Sequence, residues 1–232
     1  MHEDLRTNDP SRAAFDPTAW DAGCASDPVR NDVVLPHLLA SIQAARASRV
    51  IDMGSGTGYL TRKLAEQART IHWVLLDSNP GLLELAAKSI RPNAHTSALH
   101  FDLTESHSTF PSPPADFAFA VFTFLEFPLA SVVVQNCGGL LCSKGKLLVY
   151  LPDTLVDVTL AGNDALSDYV SGDCVITKLD HFTGARDPFF ATRIERLLNV
   201  FLSAPFRLTA LDVLPRTDRA ENIYCCCFEK VP

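Results

Sequence analysis

The stretch Val50–Gln67, "VIDMGSGTGYLTRKLAEQ", decides the fold because it joins three local patterns in direct succession. Its apolar run predicts a buried β-strand, and the glycines that follow predict a tight turn. The segment after the glycines has the apolar spacing of an amphipathic helix. A strand, a glycine-rich turn and a helix N-terminus together form a nucleotide-type site at the carboxyl edge of a doubly wound sheet.

The acid at the entrance of this turn indicates which ligand the site would take. Gly54, Gly56 and Gly58 are spaced as GxGxG, whereas dinucleotide enzymes favour GxGxxG. Amide groups at a helix start attract a negative group, but Asp52 would repel a pyrophosphate. A cationic, phosphate-free nucleoside such as S-adenosylmethionine suits this arrangement. Asp77 ends the next apolar run, in the usual position for an acid that binds ribose hydroxyls.

Strand and helix patterns alternate along most of the chain, which predicts a mostly parallel sheet with helices on both faces. The predicted strands are "RVIDMG", "IHWVLLD", "SALHFDL", "ADFAFAVFTF" and "LLVYLPD", the last preceded by a turn, "CSKGK". The tail breaks this rhythm, since a helix in "FFATRIERLLNVFLSA" precedes two strands with no helix between them. Those two strands, "FRLTALDVLP" and "NIYCCCFEKV", should pair as antiparallel neighbours.

From about Asp27 to the end, the chain resembles the class I S-adenosylmethionine-dependent methyltransferases. "VIDMGSGTGYL" looks like the first motif of that family, "LLDSNP" the second, "FDLT" the third and "ADFAFAVFTFLEF" the fourth. The resemblance implies a Rossmann-like fold with a seven-stranded, mostly parallel sheet and an antiparallel C-terminal strand pair. It also implies methyl transfer from S-adenosylmethionine. No Pro-Pro-Tyr or similar polar signature ends the fourth strand, which disfavours a DNA or protein-glutamine acceptor.

The resemblance assigns cofactor contacts to individual residues. It implies that Asp77 binds the ribose, that Ser78 and Asn79 line the adenine, and that Asp102 and Leu103 meet its amino group and its face. At the end of the fourth strand, Phe122 would face the methyl group. The complete set of predicted cofactor-binding residues is Asp52, Gly54, Ser55, Gly56, Gly58, Asp77, Ser78, Asn79, Asp102, Leu103 and Phe122.

Two residues are candidate catalytic groups, because a positioned base helps when the acceptor is a hydroxyl. His181 lies in an insert at about 152–187, where small-molecule members of the family often form the acceptor pocket. Glu126 lies among phenylalanines, and an isolated acid in such surroundings can have a raised pKa. Each also has an ordinary explanation, a packing histidine and a helix-cap acid. Trp20, in an N-terminal arm at 1–26, could close over the cofactor as a lid.

Bulk properties limit the partners and the compartment. The 232 residues carry a net charge of −7, which disfavours nucleic acid and anionic membranes as partners. The N-terminus lacks a secretory signal pattern, and the apolar stretch 117–134 is interrupted by Glu126 and Pro128. Seven cysteines without an export signal are expected to be reduced and mostly buried in a cytoplasmic protein. Cys225, Cys226 and Cys227 have no histidine nearby in sequence, so no metal site is predicted.

These observations predict a single methyltransferase domain at 27–232, acting as a monomer or homodimer on a small, apolar or aromatic molecule. A nicotinamide-dependent oxidoreductase is one alternative, disfavoured by Asp52, the glycine spacing and the antiparallel tail. A module that binds the cofactor without transferring methyl groups is the other, and the sequence leaves it open.

Overall fold

A computed structural model describes most of the chain, namely residues 16–90, 95–154, 165, 167–169, 175–179, 186–215 and 222–232. The strands are β1 (Arg49–Met53), β2 (His72–Asp77), β3 (Thr96–His100), β4 (Ala115–Val121), β5 (Leu141–Pro152), β6 (Val175–Leu179), β7 (Arg186–Phe190), β8 (Phe206–Pro215) and β9 (Asn222–Lys230). The helices are α1 (Pro17–Ser26), a π-helix (Val29–Val34), α2 (Leu35–Ala45), α3 (Tyr59–Gln67), α4 (Pro80–Ser89), a 3₁₀ turn (Thr123–Leu125), α5 (Ser131–Gly139) and α6 (Ile194–Leu202). None of the helices in the described part of the chain has the length and apolarity needed to cross a bilayer.

Seven strands form one twisted sheet in the order β3-β2-β1-β4-β5-β9-β8. The pairs β3–β2, β2–β1, β1–β4 and β4–β5 are parallel, whereas β9 is antiparallel to both β5 and β8. The predicted fold class is therefore confirmed, including the antiparallel C-terminal pair. Because the order reverses between β1 and β4, a crevice forms at the carboxyl ends of these strands.

Apolar side chains cover both faces of the sheet, as the continuous apolar runs predicted. On one face, Leu38 and Ile42 of α2 and Leu64 of α3 pack against Trp73 and Phe117. On the other face, α5 and α6 bury a second cluster that includes Phe124, Val133, Leu197, Phe201 and Phe228. The glycine turn, between β1 and α3, is thus held by two packed elements.

Three local expectations need correction. Residues 17–26 form the helix α1 rather than a loose arm, with Asp16 accepting hydrogen bonds from Thr18 N and Ala19 N. The predicted turn "CSKGK" lies inside β5, where Lys144 has a φ of 64° and the pairing with β4 shifts register. The insert contains an antiparallel hairpin of β6 and β7, so the helix predicted from Phe189 onward begins only at Ile194.

The helical segment before β1 changes type close to a proline, Pro36. Val29–Val34 is a π-helix and Leu35–Ala45 is an α-helix, with Pro36 in the first turn of the latter. Proline fits this position because the first helical amides have no intrahelical acceptor. Pro36 therefore marks the change of helix type and does not end the helical segment.

Candidate functional site

The glycine turn has backbone angles that require glycine at its first and last positions. Gly54 and Gly58 have φ values of 70° and 74°. A Cβ on Gly54 would lie 2.3 Å from Thr123 Cγ2, and one on Gly58 would lie 2.8 Å from Leu75 Cδ2. Side chains at these positions would therefore combine backbone strain with overlap. The middle glycine, Gly56, is less enclosed, and its nearest neighbour would be Trp20 Nε1 at 3.6 Å.

Hydrogen bonds tie the turn to the end of β2. The amides of Gly54 and Ser55 both donate to Leu76 O, at 2.8 and 2.9 Å. The amide of Gly56 donates to Asp77 Oδ2 at 2.8 Å. The turn and the predicted ribose-binding acid therefore form one connected unit at the carboxyl edge of the sheet.

Asp52 is buried beneath the turn, with an exposed fraction of 4%. Its Oδ2 accepts a hydrogen bond from Thr61 Oγ1 of α3 at 2.7 Å. Burial raises the pKa of Asp52 to about 7, although the Thr61 hydrogen bond opposes this shift, and the nearby charge of Asp77 adds to it. A positive group bound near Asp52 would favour its ionised form.

Asp77 is the second acid of the crevice. Its two oxygens accept hydrogen bonds from Gly56 N and from Asn79 N, the latter at 2.8 Å. Burial raises the pKa of Asp77 above its ordinary value, and these backbone hydrogen bonds only partly offset that effect. Two carboxylates that are costly to ionise thus flank one glycine turn, and such a place suits a cation better than a phosphate.

The other residues predicted to contact adenine differ in their availability. Ser78 and Asn79 are exposed at the end of β2. Asn79 Oδ1 caps α4 by accepting from Gly81 N and Leu82 N, so this oxygen already has partners. Asp102 Oδ1 accepts from both the amide and the hydroxyl of Thr104. Leu103 is only 5% exposed and belongs to a core cluster, and its contact with the adenine face stays a prediction.

Phe122 lies where β4 ends and has a strained backbone. Its φ is 63°, an uncommon value for a bulky residue and one often found at functional sites. Phe122 N donates to Tyr150 O at 3.1 Å, which fixes the residue beside β5. The next residue, Thr123, donates its hydroxyl to Met53 O at 2.7 Å. The ends of β1, β4 and β5 are therefore joined around the crevice.

The helix α1 lies over the glycine turn. Asp21 accepts hydrogen bonds from Thr57 Oγ1 at 2.6 Å and from Arg62 Nη2 at 3.0 and 3.1 Å. Trp20 is the neighbour of Gly56, and the guanidinium of Arg30 lies 5.8 Å from the centroid of its ring. The same guanidinium lies 5.1 Å from the centroid of the Phe122 ring. Trp20 is therefore placed at the crevice, and its action as a lid stays a prediction.

A pocket of about 390 Å³ opens at the carboxyl end of β5, the strand next to β4. Its lining combines apolar, aromatic and charged side chains: Leu151, Pro152, Asp153, Thr154, Tyr169, Thr192, Arg193, Ile194, Glu195 and Tyr224. Tyr224 donates to Asp153 Oδ2 at 3.4 Å, and Arg193 forms an ion pair with Glu195 at 2.9 Å. The pocket is thus more polar than the predicted apolar acceptor would need.

The two predicted catalytic groups are placed differently. Glu126 is exposed at the end of the 3₁₀ turn, whereas its neighbours Phe124 and Phe127 are buried. Glu126 is therefore not enclosed by these two phenylalanines, and the strand β7 contacts this turn. His181 lies outside the described residues.

Comparisons with known proteins agree with this geometry. Residues 51–147 match a family described as a methyltransferase domain. Trans-aconitate 2-methyltransferase from Methylobacterium nodulans is 30% identical over 118 residues, which are 51% of this chain and 43% of that protein. Residues 51–147, which include the glycine turn and Asp77, therefore resemble a methyltransferase domain. The matched segment spans less than half the length of that curated relative.

Solved structures share the fold at low sequence identity. The N-methyltransferase NodS from Bradyrhizobium japonicum, in complex with S-adenosyl-L-homocysteine, has a TM-score of 0.62 at 14% identity and covers 90% of each chain. Magnesium protoporphyrin IX methyltransferase from Synechocystis, also with bound S-adenosylhomocysteine, has a TM-score of 0.64 at 12% identity. That match covers 92% of this chain and 93% of the other. At such identities the likeness establishes the fold and says nothing about the acceptor.

The residues of the crevice fit S-adenosylmethionine, the cofactor of this methyltransferase family. Asp52 and Asp77 supply negative charge for a cationic ligand without phosphate. Ser55 Oγ is buried in the turn and has no hydrogen-bond partner among the described residues, so a polar ligand group could satisfy it. Among the described residues, Trp20 Nε1 is the atom nearest to the side of Gly56 that a Cβ would occupy, at 3.6 Å.

Sequence reasoning missed several residues around this crevice. Asp21, Thr57 and Arg62 fix α1 over the turn, and Thr61 holds Asp52. The contacts of Asp21 join segments that are distant in sequence, so no local pattern indicates them. Thr61 could have been found from the sequence, because it lies one helical turn beyond the glycines and close to Asp52.

Proposed function

We propose that this chain transfers the methyl group of S-adenosylmethionine to a small-molecule acceptor. The observation that carries this proposal is the pair of carboxylates that flanks the glycine turn, the buried Asp52 and the partly buried Asp77. When bound, the cofactor supplies an electrophilic methyl group on a sulfonium. The chain's own residues hold the cofactor, exclude water and align the acceptor, and such positioning can provide much of the rate.

The acceptor is proposed to bind in the pocket at the end of β5. Leu151, which lines this pocket, follows Tyr150, and Tyr150 O accepts the hydrogen bond from Phe122 N at the end of β4. Tyr169 and Tyr224 provide aromatic surface, whereas Asp153, Arg193 and Glu195 provide charge. We therefore replace the apolar or aromatic acceptor of the sequence analysis by a small molecule that also carries polar groups.

A binding and turnover experiment tests the function. Calorimetry should give binding of one S-adenosylhomocysteine per chain and no binding of NADH. The protein is then incubated with methyl-labelled S-adenosylmethionine, first with trans-aconitate and then with a panel of metabolites, and products are identified by mass spectrometry. A cofactor that binds but loses its methyl group to none of them would favour the non-catalytic binding module. Binding of NADH in its place would overturn the proposal.

His181 and Glu126 are proposed to contact the acceptor or accept its proton. We expect His181→Ala to lower turnover while leaving the affinity for S-adenosylhomocysteine unchanged, because the residue would act on the acceptor. The matched control is His95→Ala, which changes an exposed histidine before β3. Equal turnover in the wild type and His181→Ala would remove His181 as a base.

We also propose that the protein is cytoplasmic, acts as a monomer or homodimer, and has neither nucleic acid nor membrane as a partner. The net charge of −7 supports the exclusion of polyanionic partners. No disulfide joins the six cysteines in the described ranges, which agrees with a reducing compartment. Light scattering coupled to gel filtration would measure the oligomeric state, and cell fractionation the location.

A further inference from the structure

A cluster of metal-ligating groups lies on the sheet face covered by α2. It contains His37 of α2, Asp212 of β8 and Cys225 of β9, and one ligand atom from each lies within 4.8 Å of the others. The sequence analysis rejected a metal site because no histidine is near the cysteine run in sequence. Folding removes that objection, since it brings His37 from the other end of the chain onto the terminal strands.

The register of the strands explains why these groups meet. Cys225 pairs with Tyr150 of β5 on one side and with Asp212 of β8 on the other. Directly paired residues point to the same face, and so does Cys227, two positions along β9. Cys227 Sγ lies 3.8 Å from Asp212 Oδ2. Cys226 points to the opposite face and belongs to the other core cluster.

The imidazole of His37 is held in an orientation suited to ligation. Its Nδ1 lies 2.9 Å from the hydroxyl of Tyr150, and its Nε2 lies 3.5 Å from Asp212 Oδ2. Histidines that bind metals usually have one ring nitrogen fixed by an outer partner while the other faces the ion. Tyr150 is such a partner for Nδ1, and this leaves Nε2 directed at the carboxylate.

The distances agree with the size of a tetrahedral zinc site. Zinc binds nitrogen and oxygen at about 2.0–2.2 Å and sulfur at about 2.3 Å, so neighbouring ligands in a tetrahedron are roughly 3.4–3.8 Å apart. The separations of 3.5 Å from His37 to Asp212 and of 3.8 Å from Cys227 to Asp212 lie within that range. The ligand atoms of His37, Asp212 and Cys225 all lie within 4.8 Å of one another, so shifts of about 1 Å would bring these three to the spacing of a tetrahedral site.

We propose that His37, Asp212, Cys225 and Cys227 bind one Zn²⁺ ion. A donor set of nitrogen, oxygen and sulfur selects zinc over calcium or magnesium, which prefer oxygen ligands. Four protein ligands would leave no open position, as in structural zinc sites. The bound ion would fix α2 to the C-terminal strands. An entry path exists because the His37 and Asp212 side chains are 24% and 44% exposed.

Zinc binds cysteine sulfur as a thiolate, so uptake of the ion would displace the protons of Cys225 and Cys227 and release them to the solvent.

Cobalt titration of the reduced, chelator-treated protein tests the site. We expect one Co²⁺ per chain, with thiolate-to-cobalt charge-transfer absorption and the visible bands of a tetrahedral site, and displacement by Zn²⁺. Each of His37→Gln, Asp212→Asn and Cys225→Ser should weaken binding by more than the roughly 10- to 100-fold that loss of an outer partner costs. Tyr150→Phe, which removes only that outer partner, should weaken it by about 10-fold.

Cys226→Ala is the matched control, because it removes the adjacent thiol on the opposite face and should leave cobalt binding unchanged. If Cys225→Ser does not fold, His37→Gln and Asp212→Asn still test the site, because they change side chains that are partly exposed. The proposal is overturned if cobalt binds without thiolate absorption, or if His37→Gln and Asp212→Asn bind as tightly as the wild type. It is also overturned if Cys225 and Cys227 form a disulfide in the purified protein and no metal binds after reduction.

Discussion

Replacement of Asp52 by asparagine should raise the free energy of unfolding at neutral pH, because the ionised Asp52 carboxylate destabilises the folded protein. The pKa of this carboxyl rises from an ordinary 3.8 to about 7 in the folded protein, chiefly through burial. A group with a raised folded-state pKa favours folding below its unfolded pKa, and this advantage is lost as the pH rises toward the folded value. The ionised wild type is therefore less stable than a neutral variant by roughly 4 kcal/mol once the pH exceeds 7.

The size of the effect depends on pH in a way that isolates Asp52. At pH 5, which is little more than one pH unit above the ordinary pKa of 3.8, about one third of this loss of stability has occurred, and at pH 8 all of it has occurred. The free energy of unfolding of Asp52→Asn, relative to wild type, should therefore grow by about 2–3 kcal/mol between pH 5 and pH 8. Urea unfolding of the wild type and of Asp52→Asn at pH 5 and pH 8 measures this difference. Groups that titrate in the same way in the two proteins contribute equally to each and drop out of the difference.

Asp116→Asn provides a control of opposite sign. Burial alone would raise the pKa of Asp116, but hydrogen bonds from Ser48 and from the amide of Arg49 hold it below its ordinary value. Its carboxylate therefore stabilises the fold above pH 4, and its removal should cost stability there. If the Asp52→Asn difference stays constant within about 0.5 kcal/mol across pH 5–8, the electrostatic interpretation of the crevice is refuted.

Three further substitutions test other parts of the site. Asp77→Ala should weaken S-adenosylhomocysteine binding by on the order of 1–3 kcal/mol in calorimetry, because charge-assisted hydrogen bonds are lost. The control Glu84→Ala, at an exposed position of α4, should leave this affinity unchanged. Unchanged affinity would remove Asp77 from the ribose site. Gly54→Ala should lower the free energy of unfolding by roughly 1–3 kcal/mol through the positive φ and the overlap with Thr123, and a cost near zero would contradict that geometry. Asp21→Ala should speed amide exchange in α1 by roughly fivefold, equivalent to about 1 kcal/mol, and equal protection would show that these hydrogen bonds do not hold the helix.

The sequence predicted those parts of the fold that depend on contacts between near neighbours. The strand, turn and helix of Val50–Gln67 are defined by apolar period and glycine spacing, and they appear as β1, the turn and α3. The parallel order and the antiparallel tail follow from the presence or absence of a helix between strands. Asp52 and Asp77 could be placed because each ends a strand at the same edge of the sheet.

The errors arose where long-range pairing overrides a local signal. "CSKGK" has turn chemistry, yet Lys144 takes a positive φ inside β5 because the strand continues past a register shift against β4. The helix expected from Phe189 starts five residues later because those phenylalanines pair with β6. His37 and Cys225 belong to elements that meet only after the sheet has formed, so no local pattern indicated the proposed zinc cluster.

The position of Asp52 links stability to function through one group. An ionised carboxyl that is 4% exposed and lies near a second carboxyl, Asp77, destabilises the folded chain. A bound positive charge would stabilise the ionised carboxylate. The crevice should therefore bind a cationic ligand more tightly than a neutral ligand of the same shape. Cofactor affinity should accordingly weaken as the pH falls below 7, by up to about tenfold per unit, and Asp52→Asn should remove that part of the pH dependence. A wild-type affinity that is equally strong at pH 5 and pH 8 would mean that Asp52 only supports the turn, through Thr61, and does not select the ligand.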